Sequence, residues 1–478
     1  MPADTAAPAA DLARYRLGFH VAPERGWLND PNGLCQFRGN YHAFFQYNPK
    51  WPDFDTKYWR HFVSTDLFHW HDEGTALMTD IPEDRSGVYS GSAYVARGMA
   101  PDGGDLMCLY YTGNVVYPGG EAAGYDYVHS GREANEILVT SADGIEYSMK
   151  HVLLRNADYP TVCTEHVRDP KAWEQNGMLY MLLGARDLDD EGFCLLYESA
   201  DGVEWAIKSQ IYSKNQFGYM WECPNIVQID GHDFLAVCPQ GLEHEKLRRQ
   251  NMWQAGYFPL PGSILDTVLV DEQTFVEWDH GYDFYAPQVF VDDAGRTILI
   301  GWMGAFDGEW TAAPRGLDWC HCLTVPRELS VGADGLLRQQ PVAELEALRG
   351  EHQTLKLGET AEFDAYRADI EVSGISGAGA LTLDDALEIS YADGLLTVRF
   401  HDQDVAAGRP ERSVPLNTLD DLRVVVDTSA VEIYANGGAE VFSTRWFPTG
   451  EKMAVCHTFE AATAEAWPLE DAMAHAFA

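Results

Sequence analysis

A chain of 478 residues exceeds what one ordinary hydrophobic core organises, so two domains are expected. With 46% apolar residues it has ample material for a globular interior. Its net charge of −41 argues against nucleic acid and anionic membrane surfaces as partners, and leaves a small neutral ligand open.

The N-terminal "MPADTAAPAADLARYR" has no basic stretch leading into an apolar one, so residues 1–18 read as a tail rather than a secretory signal. The longest apolar run, around "TILIGWMGAF", is about half of what a membrane span needs. Nine scattered Cys suit reduced thiols, and the expected location is the cytoplasm. Cys320 and Cys322 flank His321, but no second cluster stands at zinc-ligand spacing. No metal or organic cofactor is expected.

Five segments then share one plan: a polar turn-like start, a short alternating strand, a turn and a second apolar strand. They are "DPNGLCQFRGNYHAFFQYN" (30–48), "YSGSAYVARGMAPDGGDLMCLYYTGN" (89–114), "RDPKAWEQNGMLYMLLGAR" (168–186), "ECPNIVQIDGHDFLAVCPQ" (222–240) and "YAPQVFVDDAGRTILIGWMGA" (285–305). Asn176-Gly177 and Asp230-Gly231 are hairpin turn signals. Pro31, Pro170, Pro224 and Pro287 sit near strand starts, where a ladder donor can be spared. A second motif marks the outer end of the units: "STDLFHW" (64–70), "SADGIEY" (141–147), "SADGVEW" (199–205) and, more loosely, "DEQTFVEW" (271–278). Each reads as a turn followed by an edge strand that begins with an aromatic.

Starts recurring at roughly 55–80-residue intervals leave room for four strands each, the signature of a five-bladed β-propeller over 19–340. The competing reading is a large sandwich of unrelated hairpins. "ARYRLGFHV" is the candidate strand to close the ring. Residues 341–350, "PVAELEALRG", read as a short helical linker. Over 351–478, alternating runs with turns at Asp393-Gly394 and Asn436-Gly437 predict a C-terminal antiparallel β-sandwich. Its charges read as a solvated face without chemistry. The fold class is therefore all-β.

In a propeller, equivalent strand starts converge at one end of the axis. Asp30 and Asp169 each precede a Pro, and Glu222 stands one residue further from Pro224, so three carboxylates should line one pocket. Such crowding raises at least one pKa and suits glycoside hydrolysis, which needs one carboxylate ionised and another protonated. Asp30, between Asn29 and the "PNG" turn, reads as the ionised group. Glu222, between Trp221 and Cys223, reads as the one whose apolar neighbours keep its proton. Arg168 would keep the adjacent Asp169 charged and aimed at sugar hydroxyls. Asn29, Gln46 and Ser90 offer further polar tips, and the aromatics offer faces for a sugar ring.

These residues resemble the signature of glycoside hydrolase family 32, the invertases and fructan hydrolases. "WLNDPNG" (27–33) is similar to the family's nucleophile motif, "RDP" (168–170) to its transition-state-stabilising motif and "WECP" (221–224) to its acid/base motif. "YSGSA" (89–93), "YDFYAPQ" (282–288), "VPREL" (325–329) and "VEIYANGG" extend the resemblance over nearly the whole chain. It implies retaining cleavage of β-fructofuranosides: Asp30 as nucleophile, Glu222 as general acid/base, Asp169 as transition-state stabiliser. The implied fructose subsite adds Asn29, Gln46, Trp51, Phe54, Trp59, Tyr89, Ser90, Arg168, Cys223 and Tyr285. Phe54 stands where many members carry Trp, with Trp51 as the candidate replacement. The usual "WGH" appears as Trp59-Arg60-His61, which adds a cation in the site or on its rim.

The expected substrates are sucrose and short fructo-oligosaccharides, with sucrose 6-phosphate left open by the basic cluster Lys246, Arg248 and Arg249. A fructosyltransferase, an inverting propeller glycosidase and a non-catalytic carbohydrate-binding propeller remain as rival readings. Homo-oligomerisation is also open.

Overall fold

The computed structural model describes residues 13–51, 53, 56–304 and 316–478. Five successive sheets precede the sandwich, and each begins with one of the predicted starts: Gly26–Phe37, Gly87–Ala96, Cys163–Gln175, Met220–Ile229 and Tyr285–Val291. These first strands contact one another in sequence, and the fifth contacts the first, so they form a closed ring around an axis. Side chains just after the strand starts tie the ring together. Asn32 Oδ1 accepts from Gly91 N (3.0 Å), Ser92 Oγ donates to Pro170 O (2.7 Å), Asn225 Nδ2 to Pro287 O (3.0 Å) and Gln288 Nε2 to Gly91 O (2.6 Å). A propeller-type domain is thus built from a repeat visible in the chain.

The turn chemistry explains the registers. Asn176-Gly177, Asp230-Gly231 and Asp393-Gly394 all take positive φ, and their hairpins pair Gln175 with Met178, Ile229 with His232 and Ala392 with Leu395. At Asn436-Gly437 the loop is wider, with Ala435 opposite Glu440. The outer motif is an Asx turn in all four copies. Asp66, Asp143, Asp201 and Asp271 each accept, through Oδ1, the backbone N–H two residues on. Only the first of the following strands starts on an aromatic, Trp70; Tyr147 and Trp205 come before theirs.

Ring closure differs from the expectation. The segment 16–25 forms no strand; it lies across the seam and gives Val21 O to Leu323 N at 2.8 Å. The strand added to the first sheet is Trp319–Cys320, parallel to Gly26–Trp27. The end of the predicted tail is also firmly docked: Tyr15 and Leu17 are buried, and Ser429 Oγ donates to Tyr15 O. After Pro341 a 3-10 turn, Ala343–Leu348, buries Leu345 and Leu348 against the propeller core.

Two six-stranded antiparallel sheets then form the sandwich around Ile370, Leu381, Ile389, Val424 and Ile433. Its charges are not all solvated. In Ala430–Ala435, Val431 and Ile433 face the sandwich core, whereas Ala430, Glu432 and Tyr434 face the propeller, so both sides of this strand are buried. Glu432 accepts from Arg327 Nη2 (2.6 Å) and pairs with His20 Nε2 (2.9 Å); His20 Nδ1 meets Asp427 at 2.8 Å; Arg327 Nη1 reaches Asp279 at 3.2 Å. Arg409 Nη2 and Arg445 N both donate to Asp283 at 2.8 Å. The strand alternation read as solvated is a buried interdomain ion network.

Candidate active site

Every first strand breaks its ladder at the same place. Register shifts fall between Leu28 and Pro31, Val88 and Gly91, Arg168 and Lys171, Glu222 and Asn225, and Tyr285 and Gln288. A bulge re-aims the extra side chain, and five of them around one axis aim their side chains together. Asp169, Cys223 and Ala286 stand in left-handed backbone (φ 67, 47 and 46°) although each precedes a Pro, which favours extended conformations. Such positions cost about 1–3 kcal/mol each and cluster at functional sites.

The structure brings Asp30, Asp169 and Glu222 together. Asp30 Oδ1 accepts from Asn29 Nδ2 (3.0 Å), and Oδ2 from Ser90 Oγ. Gln46 links these donors: its Oε1 accepts from Asn29 Nδ2 (2.6 Å) and its Nε2 donates to Ser90 Oγ (3.0 Å). Cys223 joins two acids, with its N–H donating to Asp169 Oδ2 (2.8 Å) and its Sγ 3.8 Å from Asp30 Oδ2. Burial pushes the Asp30 carboxyl above the ordinary aspartate range, against the hydrogen bonds from Ser90 and Asn29. Asp169 is pushed up to about 7 by burial; Arg168 opposes this, while Glu222 and Asp30 add to it.

Glu222 does not sit in apolar company. Its neighbour Trp221 belongs to the alternate position of the strand: the Trp221 ring packs on Phe258 and donates to Phe217 O. The carboxyl itself accepts from Arg168 Nε (3.1 Å) and Nη2 (2.6 Å), Gln240 Nε2 (2.6 Å) and Tyr285 OH (2.7 Å). Arg168 therefore grips Glu222 rather than Asp169, because the bulge turns these two consecutive side chains apart. Its Nη1 lies 3.0 Å from His166 Nδ1. An arginine can only donate, so His166 accepts there, and burial with the neighbouring arginines holds its pKa down to about 2.

Other predicted residues divide. Tyr89 is half-buried under the Arg132 guanidinium, 5.6 Å away. Trp59 is fully buried between Phe44 and Tyr111, and its indole donates to Tyr89 O at 2.9 Å. It braces Tyr89 from behind and offers no face to a ligand; it alternates with Arg60, which is turned to Asp72 and the Tyr47 ring. The added cation of "WRH" is thus paired with Asp72 on the strand face opposite Trp59. Trp51 is half-buried against the aromatic cluster that contains Trp27. Phe54 lies outside the described residues.

Four supporting residues were given no role in the site by the sequence: Lys57, Trp27, Gln240 and His321. Lys57 Nζ and Trp27 Nε1 both donate to Asn29 Oδ1, at 2.9 and 3.1 Å, and so orient its amide toward Asp30. Nothing in the spacing marks Lys57. Gln240 was legible in principle: the register from the Asp230-Gly231 turn places it opposite Met220, beside Glu222. His321 packs edge-on against Trp27, with centroids 4.3 Å apart. Among the described residues, no group of three or more His, Cys, Asp or Glu side chains is placed to hold a metal, and no helix is long and apolar enough to cross a membrane.

The family model for the glycosyl hydrolases family 32 N-terminal domain matches residues 20–341, and that for the family 32 C-terminal domain matches 396–472. A sucrose-6-phosphate hydrolase of Klebsiella pneumoniae is 39% identical over 449 residues, covering 90% of this chain and 88% of the relative. Escherichia coli raffinose invertase is 35% identical over 459 residues, covering 91% and 90%. Among solved structures, the Lactobacillus gasseri sucrose-6-phosphate hydrolase superposes with a TM-score of 0.85 at 28% identity, over 97% of this chain and 95% of that one. An all-β propeller-and-sandwich fold with an acid cluster on its axis, in such company, defines a glycoside hydrolase. The chain belongs to glycosyl hydrolase family 32.

Proposed function

We propose that this enzyme hydrolyses terminal β-D-fructofuranosides, sucrose and short fructo-oligosaccharides among them, with retention through a fructosyl-enzyme intermediate. The observation that carries the proposal is the meeting of Asp30, Asp169 and Glu222 at three bulges of one ring, each held by different partners. Asp30, oriented by Asn29 and Ser90, attacks the anomeric carbon. Glu222 gives its proton to the leaving alcohol and then takes one from the incoming water. Asp169, fixed by Cys223 N–H, accepts hydrogen bonds from fructose hydroxyls. Tyr285 and Gln240 steer Glu222 between its two tasks. A double displacement of this kind expects the nucleophile and acid about 5–5.5 Å apart.

Names borne by relatives support a sucrose-type substrate, including its 6-phosphate. Of the three cations noted in the sequence, Arg249 is folded back over Phe217 and paired with Glu245, whereas Lys246 and Arg248 are exposed. These two are the groups we assign to a leaving-group phosphate.

The test compares Glu222→Gln with the parent enzyme on sucrose, sucrose 6-phosphate and a fructoside whose leaving group needs no proton. Loss of the acid should lower kcat on the two natural sugars by about 10²–10⁴-fold and spare the first step on the activated one. Equal damage to all three would refute the acid role. Faster cleavage of the 6-phosphate, abolished by Lys246→Ala with Arg248→Ala, would fix the preferred sugar.

A further inference from the structure

Behind Asp169 lies a second, fully buried carboxyl that takes no part in the steps above. Glu136, in the strand Arg132–Ser141, lies against Thr112 and Tyr159, and all three are buried. Thr112 Oγ1 is 3.2 and 3.0 Å from the two Glu136 oxygens and also accepts the Asp169 backbone N–H at 3.0 Å. Tyr159 OH is 3.1 Å from Glu136 Oε1 and 3.1 Å from Ala134 O. A hydroxyl carries one proton. If Glu136 were ionised, the single Tyr159 proton would face two acceptors. The charged group opposite would be Asp169, of the same sign. If Glu136 is neutral, the protons fall into place: Glu136 donates to Tyr159, Tyr159 to Ala134 O, Thr112 to the other Glu136 oxygen, and Asp169 N–H to Thr112.

We propose that Glu136 is a positioning residue kept as a neutral carboxylic acid, which fixes the left-handed backbone of Asp169 through Thr112 without adding a further negative charge beneath the acid cluster. The titratable groups facing it are Asp169 and Tyr159, with Tyr197 and Cys163 beyond the latter. Burial pushes its carboxyl up and Asp169 adds to this, against the hydrogen bonds from Thr112 and Tyr159. The arrangement lets the site hold three acids at one end of the axis: the buried support is hydrogen-bonded yet uncharged. An isolated carboxylate there would carry a heavy desolvation cost.

The inference rests on Asp169 as a substrate-holding acid, but its proton can be tested without substrate. Infrared difference spectra of the parent minus Glu136→Gln should contain the C=O stretch of a protonated buried carboxyl at neutral pH. Glu136→Gln, whose amide reproduces the donor and acceptor of the neutral acid, should keep kcat and KM within about twofold and leave both pH limbs in place. Thr112→Val should lower kcat/KM at least about tenfold, and Thr112→Ser should restore it. A difference spectrum showing an ionised carboxylate, a shifted pH limb in Glu136→Gln, or a Thr112→Val enzyme with parental kinetics would overturn the proposal. Failure of all sugars to react, with the infrared band present, would count against the fructoside reading alone.

Discussion

Asp30→Asn is expected to lose at least about 10⁴-fold in kcat while still folding and binding substrate. The substitution keeps the shape of the side chain and the contact with Asn29, since an amide oxygen can replace Oδ1. It removes the nucleophile, and no other carboxyl stands in its place: Asp169 is held by Cys223 N–H, and Glu222 by Arg168. Calorimetry should still register substrate binding, and product assays should register no turnover above the stated loss. Retention of a tenth of parental activity would dismiss Asp30 as the nucleophile. The parent enzyme should show the matching pH behaviour. Asp30 works only when ionised, and burial raises its pKa, so kcat/KM should fall as pH drops through a value above the 3.8 of an ordinary aspartate.

Asp169→Asn should have opposite effects on activity and stability. Activity should fall by about 10²–10⁴-fold, because hydrogen bonds that strengthen on the fructose hydroxyls in the transition state are weakened. Stability should rise above neutral pH. The sign follows from linkage: a carboxyl at 3.8 in the unfolded chain and about 7 in the folded one favours folding at low pH. That advantage is lost progressively from 3.8, where the unfolded carboxyl ionises, up to about 7, above which the folded protein must bear a buried charge. An amide escapes this loss, keeps an acceptor for Cys223 N–H and tolerates left-handed backbone, so the gain at pH 8 is on the order of 2–4 kcal/mol. Thermal unfolding at pH 3.5 and pH 8 checks it; the variant and parent should converge toward the lower pH. Equal destabilisation at both values would mean that Asp169 is held for structural reasons.

Much of this was legible in the chain, because the repeat ties local chemistry to a global position. The Pro-marked starts located all three acids, and the Asn-Gly and Asp-Gly turns fixed strand registers. What misled was treating sequence neighbours as spatial neighbours. On a strand, Trp221 flanks Glu222 in the chain and points elsewhere; Arg168 abuts Asp169 and reaches Glu222. The same alternation made Glu432 look solvated and Trp59 look available, because a sequence cannot say that the second face of a strand is covered by another sheet. Glu136 and Thr112 carried no signal at all. Their pairing across strands 24 residues apart depends on a register between long strands with no tight turn to announce it.

The ion network between the domains bears on how this protein can be divided or recombined. Arg327 belongs to the last propeller sheet and Glu432 to the sandwich, and His20 near the start of the chain touches both Glu432 and Asp427. Removing one member of a buried pair strands its partner at roughly 3–5 kcal/mol. A chain ended after Pro341 would leave Arg327 with Asp279 alone and would deprive His20 of both its carboxylates and Asp283 of Arg409. The two halves therefore form a single heritable unit. A graft that exchanges the sandwich for another must bring a matched set of buried charges, however well the catalytic pocket is preserved.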